Sequence, residues 1–107
     1  MKYRNRKTEV DGILFDSRRE AARYGQLQLL IKAGKISDLR LQVKFELAPA
    51  VVIKGRKRPS LKYIADFAYF EAGRLIVEDV KGVITEGYRI KRHLMKAVHN
   101  IDVQEVS

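Results

Sequence analysis

The chain has 107 residues, 46% of them hydrophobic, which fits one small domain over residues 1–107. It has no cysteine, so disulfides and thiolate metal sites are excluded, and a cytoplasmic protein is expected. Its 22 lysines and arginines outnumber 13 acids, giving a net charge of +9. The expected partner is a polyanion, with nucleic acid ahead of an anionic membrane surface. Membrane binding would need a helix with a free apolar face, and both predicted helices need theirs for the core, so no membrane partner is predicted.

The first third of the chain predicts a hairpin followed by a helix. Residues 1–6 are predicted to be a flexible basic arm, and Asp11-Gly12 indicates a hairpin over residues 8–15. Ser17 and Glu20 have the spacing of a capping box and begin a helix predicted over residues 17–33. Gly34 supplies the stop. The predicted inward stripe has helical spacing and comprises Tyr24, Leu27 and Ile31, with Leu30 beside it.

The rest of the chain alternates extended segments with one more helix. Alternating apolar residues predict strands over 42–47 and 51–53, and glycine and proline mark a basic loop over 54–59. Two strands, 61–70 and 74–81, are followed by a helix capped by Thr85 and a final strand over 101–106. The stripe predicted to face inward on this helix is Ile90, Leu94, Ala97 and Val98. The order predicts an α/β (α+β) fold with a central mixed β-sheet flanked by helices.

Acidic residues lie inside two apolar strands, where a lone carboxylate is costly. If Ala72-Gly73 form a two-residue turn, Asp66 falls opposite Asp79, and paired residues point to the same face. Lys81, two residues beyond Asp79, shares that face, and Glu78 points to the other. Two adjacent carboxylates attract a hard cation such as Mg²⁺, and a lysine beside them can orient or deprotonate water, or stabilise charge on a phosphate. Spacing alone leaves open a structural alternative, in which the acids pair with Lys81 or nearby arginines.

Asp66 followed by Asp79-Val80-Lys81 resembles the PD-(D/E)xK nuclease superfamily, although Ala65 stands where the motif has proline. The chain is also similar to a family of small phage proteins over roughly residues 5–96. The matching segments are Val10-Asp11-Gly12-Ile13, Phe15-Asp16-Ser17, Glu20-Ala21, Tyr63, Ala65-Asp66-Phe67 and Glu78-Asp79-Val80-Lys81-Gly82.

The resemblance implies a restriction-endonuclease-like core and a Mg²⁺-dependent endonuclease acting on DNA, with Mn²⁺ as a substitute. Asp66, Asp79 and the Val80 carbonyl would bind the metal, Lys81 would be catalytic, and Glu20 would be a further acid of the active site. A phage or prophage protein in a bacterial cytoplasm is implied, acting on recombination or replication intermediates, with branched DNA favoured. Because cutting two strands usually requires two active sites, a homodimer is also expected. No small-molecule cofactor is expected.

Positive side chains elsewhere are candidates for DNA contacts. One set lies in the predicted basic loop and beyond it, and the other lies on the second helix after the acidic strands. These residues are Lys54, Arg56, Lys57, Arg58 and Lys62, then Arg89, Lys91, Arg92 and Lys96. Tyr88 is predicted at the edge of the core, Glu78 in a structural ion pair, and both His93 and His99 at the surface. The alternatives to a nuclease are a DNA-binding module without catalysis and a regulatory partner of a replication protein, which would expose a large apolar patch.

Overall fold

The computed structural model describes residues 6–107, so the predicted arm lies outside the described residues except for Arg6. Eight strands and two helices follow one another along the described part. They are β1 (Thr8–Val10), β2 (Ile13–Phe15), α1 (Arg18–Lys32), β3 (Ile36–Ala48), β4 (Val51–Ile53), β5 (Arg56–Arg58), β6 (Leu61–Glu71), β7 (Arg74–Val80), α2 (Glu86–His99) and β8 (Gln104–Val106).

A four-stranded mixed sheet in the order β3-β6-β7-β8 is the centre of the molecule. β6 pairs antiparallel with both β3 and β7, and β8 joins β7 in parallel. One core lies beneath α1 and a second beneath α2. The α+β fold with a central mixed sheet flanked by helices is therefore confirmed. Across residues 6–107, neither helix has the length and apolar character needed to cross a membrane.

Three hairpins turn on a residue followed by glycine, each with both residues at positive φ, which is the pattern of a type I′ turn. Asp11-Gly12 joins β1 to β2, and Ala72-Gly73 joins β6 to β7, as predicted. The predicted pairing of Glu71 with Arg74 is also confirmed. Lys54-Gly55 makes the same turn between β4 and β5. The basic loop predicted over 54–59 was therefore wrong, because its arginines form a strand.

The ends of α1 match the sequence prediction. The Ser17 hydroxyl accepts a hydrogen bond from the Glu20 backbone N–H at 3.2 Å. At the other end, Gly34 has φ of 72°, and the Lys35 N–H donates to the Leu30 carbonyl at 2.9 Å. This pattern is a Schellman stop. Tyr24 and Leu27 are buried, and Leu30 and Ile31 pack beside them, so the predicted stripe is confirmed.

The two cores change sides of β6 at Asp66. Tyr63 and Ala65 pack beneath α2, whereas Phe67 and Tyr69 pack beneath α1. Residues two apart in a regular strand share a face, so the strand is irregular between Ala65 and Phe67. On β3 the facing position is Gln42, which lies between two paired residues and has φ of 52°. The irregularity places Asp66 where the strand reorients.

Two strand predictions differ from the structure in length. β3 begins at Ile36, six residues before the predicted start, because pairing with β6 extends it across a register shift between Ser37 and Arg40. Its alternation is obscured at Asp38, which has φ of 56°. β8 is shorter than predicted, and the chain before it packs Ile101 and Val103 into the core.

The inward face of α2 was predicted wrongly. Tyr88 and Met95, two helical turns apart, are buried, whereas Ile90 is 56% and Val98 is 52% exposed. Ala97 is also exposed, and Leu94 is partly buried against the core. The helix is rotated because Tyr88 reaches Glu105 on β8, where its hydroxyl donates a hydrogen bond at 2.7 Å.

Candidate active site

Asp66 and Asp79 face each other where β6 and β7 separate. The ladder runs from Glu71↔Arg74 to Phe67↔Glu78, and Asp66 and Asp79 are next in that register. The Asp66 N–H donates to Asp79 Oδ1 at 3.1 Å, and the Val80 N–H donates to Asp66 Oδ2 at 2.9 Å. Each carboxylate therefore accepts a hydrogen bond from the backbone of the opposite strand. The pair is held without the help of any loop.

Asp79 contacts Lys81 and Tyr63 directly, and Lys81 in turn lies against the ring of Tyr88. Lys81 Nζ lies 3.1 Å from Asp79 Oδ2 and 4.2 Å from the Tyr88 ring centroid. The Tyr63 hydroxyl donates to the same Oδ2, and burial is the largest cause of its raised pKa. Burial followed by the Glu105 hydrogen bond likewise raises the pKa of Tyr88. Both phenols therefore remain donors at neutral pH, and Tyr88 is a buried tyrosine at the edge of the core.

Glu20 approaches the two aspartates from the first turn of α1. It is partly buried, and no described residue hydrogen-bonds to its carboxylate, including the Ser17 N–H of the predicted capping box. The pKa of Glu20 is raised, first by burial and then by the charges of Asp16 and Asp79, while Lys81 lowers it. Only the Ser17 half of the capping box forms, and the Glu20 carboxyl group is directed to the carboxylate site.

The electrostatics of Asp66 record the crowding of acids. Its pKa is raised to about 7, first by burial and then by the Asp79 carboxyl group, with a smaller contribution from Glu20. The hydrogen bond from the Val80 N–H opposes these effects. Three carboxyl groups thus share one ammonium group, Lys81, and the site has excess negative charge when all are ionised.

Glu78, adjacent to Asp79 in sequence, points to the opposite face as predicted. Its carboxylate accepts hydrogen bonds from Arg23 on α1 at 2.8 and 2.6 Å, and from the Tyr69 hydroxyl. The Glu78 hydrogen bond is the main cause of the raised pKa of Arg23. A bidentate arginine pair satisfies the acid completely, so Glu78 is structural.

Arg19 is a residue near this site that the sequence analysis missed. A Cβ atom built on Gly82 would lie 2.7 Å from Arg19 Nη1, so the guanidinium lies against the backbone directly after Lys81. A glycine following the lysine of the motif was the available signal, since it allows another group to approach closely. The approach places a positive group beside Gly82, which directly follows Lys81 in the sequence.

Of the other predicted DNA contacts, those on the hairpin lie in a separate sheet, whereas Arg92 reaches the Tyr88 ring that Lys81 also contacts. Lys54, Arg56, Lys57 and Arg58 are exposed on the separate β4–β5 hairpin. On α2, Arg92 pairs with Glu105 at 2.8 Å. The pKa of Glu105 is lowered, first by the hydrogen bond from Tyr88 and then by the one from Arg92.

The remaining positive and histidine side chains lie at the surface. Lys62 on β6 and both Arg89 and Lys91 on α2 are exposed, and Lys96 pairs with Asp102 at 3.0 Å. His93 and His99 are exposed as predicted, with His99 Nε2 2.7 Å from the Glu46 carbonyl oxygen.

The donor chemistry of the site fits a hard divalent cation in part. Carboxylate oxygens are the ligands that Mg²⁺ prefers, and one or two carboxylates suffice for it. The carboxylate of Glu20 and Oδ1 of Asp66 accept no hydrogen bond from residues 6–107. Within the same residues, no group of three or more histidine or acidic side chains is placed so that it could hold a metal ion. Any metal held here would therefore need further ligands from water, backbone or substrate.

Comparisons with known proteins identify a family but no activity. The family described as "Protein of unknown function (DUF1064)" matches residues 1–106. No curated protein and no solved structure matches the chain.

Proposed function

The chain belongs to the DUF1064 family, and from the geometry of its carboxylate site we propose that it is a Mg²⁺-dependent endonuclease that hydrolyses DNA phosphodiester bonds. The observation that carries the proposal is the meeting of Asp66, Asp79 and Lys81 where β6 and β7 separate. Structural acids are normally neutralised, as Glu78 is by Arg23, whereas Asp66 and Glu20 beside the Asp79–Lys81 pair form no ion pair with any residue from 6 to 107. A cluster of acids with a perturbed pKa is typical of a functional site.

Three residues of the chain have proposed roles in hydrolysis, namely Lys81, Tyr63 and Arg19. The reaction adds one water to phosphorus and breaks one P–O bond, leaving a phosphate monoester and a hydroxyl group. Lys81 can orient the attacking water or stabilise charge on the phosphate oxygens, since its ammonium group lies against Asp79. Tyr63 fixes the Asp79 carboxylate from the other side. Arg19, beside Gly82, adds positive charge for a phosphate.

Mg²⁺ would be held by Asp66 and Asp79, with the Val80 carbonyl as a further candidate ligand, and Mn²⁺ is expected to substitute. When bound, it supplies Lewis-acid activation of the phosphate and lowers the pKa of a water molecule. The excess of carboxylates over positive groups supports this assignment, because a divalent cation would relieve their repulsion.

The test is cleavage of linear, supercoiled and four-way-junction DNA by the purified protein. Nicking or cutting is expected with Mg²⁺ or Mn²⁺, and none with EDTA. Titration calorimetry with Mg²⁺ alone provides a second readout, which is expected to show binding that Asp66→Asn weakens. Absence of cleavage on all DNA and RNA structures would reject the nuclease.

A DNA-binding module without catalysis is the second candidate, and one contact favours it. Lys81 and Asp79 already form a direct ion pair at 3.1 Å, which can hold the strand ends without a metal. Under this proposal the protein binds DNA equally well in Mg²⁺ and in EDTA, and calorimetry detects no Mg²⁺ binding.

The biological setting follows from the nuclease proposal. The lack of cysteine and the resemblance to phage proteins support a phage or prophage protein in a bacterial cytoplasm, acting on recombination or replication intermediates. A homodimer is part of the same proposal, since cutting both strands usually requires two active sites. The apolar side chains of Ile90 and Val98 on α2 are exposed and are the first positions at which to test dimer formation.

A further inference from the structure

The β4–β5 hairpin is separated from the rest of the sheet structure. Its three-residue strands pair only with each other within residues 6–107, and every residue from Val51 to Pro59 is exposed. An isolated two-stranded hairpin is marginally stable in water, because it buries little apolar surface. The hairpin therefore gains little from its own fold, and a partner is expected to cover it.

The two faces of the hairpin differ in composition. Val51 pairs with Arg58 and Ile53 with Arg56, so these four side chains share one face. The other face has one apolar residue, Val52, which is 69% exposed, and one lysine, Lys57. Val51 is 47% and Ile53 is 51% exposed, although both are β-branched apolar residues. One face thus combines two arginines with two exposed apolar side chains.

The charge of the hairpin indicates an anionic partner. No acid occurs between Glu46 and Asp66, and no described residue forms an ion pair with Lys54, Arg56, Lys57 or Arg58. Arginine suits phosphate contacts because its guanidinium donates two hydrogen bonds in a plane. A two-stranded ribbon also has the width to enter the major groove of DNA. Charge complementarity therefore selects nucleic acid as the partner.

We propose that the β4–β5 hairpin binds DNA at a branch point, with Arg56 and Arg58 on phosphates and with Val51 and Ile53 against bases that the branch unstacks. Apolar side chains gain nothing from phosphates, but they gain from unstacked base faces. The inference rests on the proposed function only for the choice of DNA as partner. It identifies the β4–β5 hairpin as the part of the protein that selects branched DNA.

The distance from the β4–β5 hairpin to the carboxylates gives the expected spacing between the branch point and the cleavage site on DNA. Leu61 pairs with Ala48 at the base of the hairpin, and Asp66 lies five residues further along β6. At about 3.3 Å per residue, the base of the hairpin lies about 17 Å from Asp66, which corresponds to about five base pairs at 3.4 Å each. Because the proposed contacts lie beyond this base, cleavage is expected at least about five nucleotides from the branch.

The test measures binding in EDTA, where cleavage is absent, to a four-way junction and to linear duplex of the same sequence. Val51→Ser/Ile53→Ser is expected to weaken junction binding about tenfold, the scale of one base contact, and linear binding by less than about twofold. The arginine variant, Arg56→Ala/Arg58→Ala, is expected to weaken both and to lower the slope of log K against log salt by about 0.9 per lost phosphate contact. Val52→Ser, on the other face, and Leu75→Ser, on β7, are the matched controls and should bind as wild type.

Several outcomes overturn the proposal. They are equal losses on junction and linear DNA in Val51→Ser/Ile53→Ser, an unchanged salt slope in the arginine variant, equally tight binding to double-stranded RNA, or a lowered thermal midpoint in any hairpin variant. If junction binding behaves as expected but Mg²⁺ produces no cleavage, the nuclease fails and the hairpin assignment stands. If cleavage occurs but the hairpin variants leave junction binding and cleavage unchanged, the nuclease stands and the hairpin assignment fails.

Discussion

Glu78 and Asp79 are neighbouring acids on β7, both buried, and their surroundings are opposite in kind. Glu78 has one positive partner, Arg23, in a two-bond contact, with Tyr69 completing its hydrogen bonds. Asp79 has Lys81 as its positive partner, but Asp66 and Glu20 add two more carboxyl groups nearby. The charges balance on the Glu78 face of the strand, whereas negative groups outnumber positive groups on the Asp79 face, which we call the open face.

The difference shows which acid has a structural purpose. Burying an ion pair is tolerated only where hydrogen bonds compensate both charges, and the Glu78–Arg23 pair meets that condition. Clustering several acids raises the free energy of the folded state, so a cluster is expected where a bound cation or substrate offsets the repulsion. The contrast separates a fold-stabilising acid from a candidate catalytic acid one residue away.

The largest expected effect separates the two neighbours directly. Asp79→Asn should lower cleavage by more than about a hundredfold, because even residues that only support metal ligands cost up to that much when changed. Its stability should remain near wild type, since the loss of the Lys81 ion pair is offset by less repulsion from Asp66. Glu78→Gln should instead cost about 3 kcal/mol of unfolding free energy, because Arg23 loses its buried counter-charge.

Urea denaturation and cleavage per folded molecule measure these two outcomes. Lys81→Ala is the companion variant and should also lose cleavage while still binding DNA. If Glu78→Gln lost cleavage without losing stability, or if Asp79→Asn unfolded, the division between the two faces would be wrong.

A smaller effect is expected at Glu20, which connects α1 to the open face. Glu20→Gln should lower cleavage at least about tenfold by removing one carboxylate, while stability stays within about 1 kcal/mol, the scale of a helix cap. Glu20→Ala should be equally stable, because the Ser17 hydroxyl bonds the Glu20 backbone N–H and not its side chain. Full cleavage activity in Glu20→Gln together with lost stability in Glu20→Ala would make Glu20 only a cap.

Arg19 and Gly82 sharpen the comparison, because Arg19 lies against the backbone directly after Lys81 and is proposed to contact the phosphate. Gly82→Ala should displace the Arg19 guanidinium, since the added Cβ would lie 2.7 Å from Nη1. Each of Gly82→Ala and Arg19→Ala is expected to reduce cleavage several-fold, and the double variant should be no worse than either, because both remove one contact. Additive losses would contradict a shared cause, and Gly87→Ala, at a glycine with open space around it, is the control.

Local patterns predicted the hairpin register and the helix ends, because turns and caps depend on neighbouring residues. Ala72-Gly73 fixed the register that brings Asp66 opposite Asp79. The same residue-glycine signal at Lys54-Gly55 was available, but the density of positive charge around it favoured a loop and hid a hairpin.

Features set by distant contacts could not be predicted in this way. The rotation of α2 depends on Tyr88 reaching Glu105, and the reorientation of β6 at Asp66 depends on Gln42 across the sheet. Apolar periodicity on α2 indicated Ile90 and Val98 as core residues, although both are exposed. Arg19 was missed because its approach to Gly82 joins a helix to the end of a strand, with no pattern along the chain.

The smallest expected effect is a change in stability with pH that only the open face should produce. The pKa of Asp66 is raised from its usual 3.8 to about 7 by burial and by Asp79. A raised acid stabilises the fold through its neutral form, so this contribution is complete below about pH 3.8 and is lost as the pH rises through 7. In EDTA, the thermal midpoint of Asp66→Asn should therefore rise relative to wild type between pH 5 and pH 8. A difference of a few degrees is expected, since 1 kcal/mol corresponds to roughly 4–8 °C in a small domain.

Added Mg²⁺ should raise the wild-type midpoint more at pH 8 than at pH 5.5, because a cation binds the ionised carboxylate. Asp102→Asn, which removes an exposed carboxylate, is the control for net charge. Parallel profiles for wild type and Asp66→Asn would show that the carboxylate crowding in this site has no effect on stability, and that the two faces of β7 are electrostatically alike.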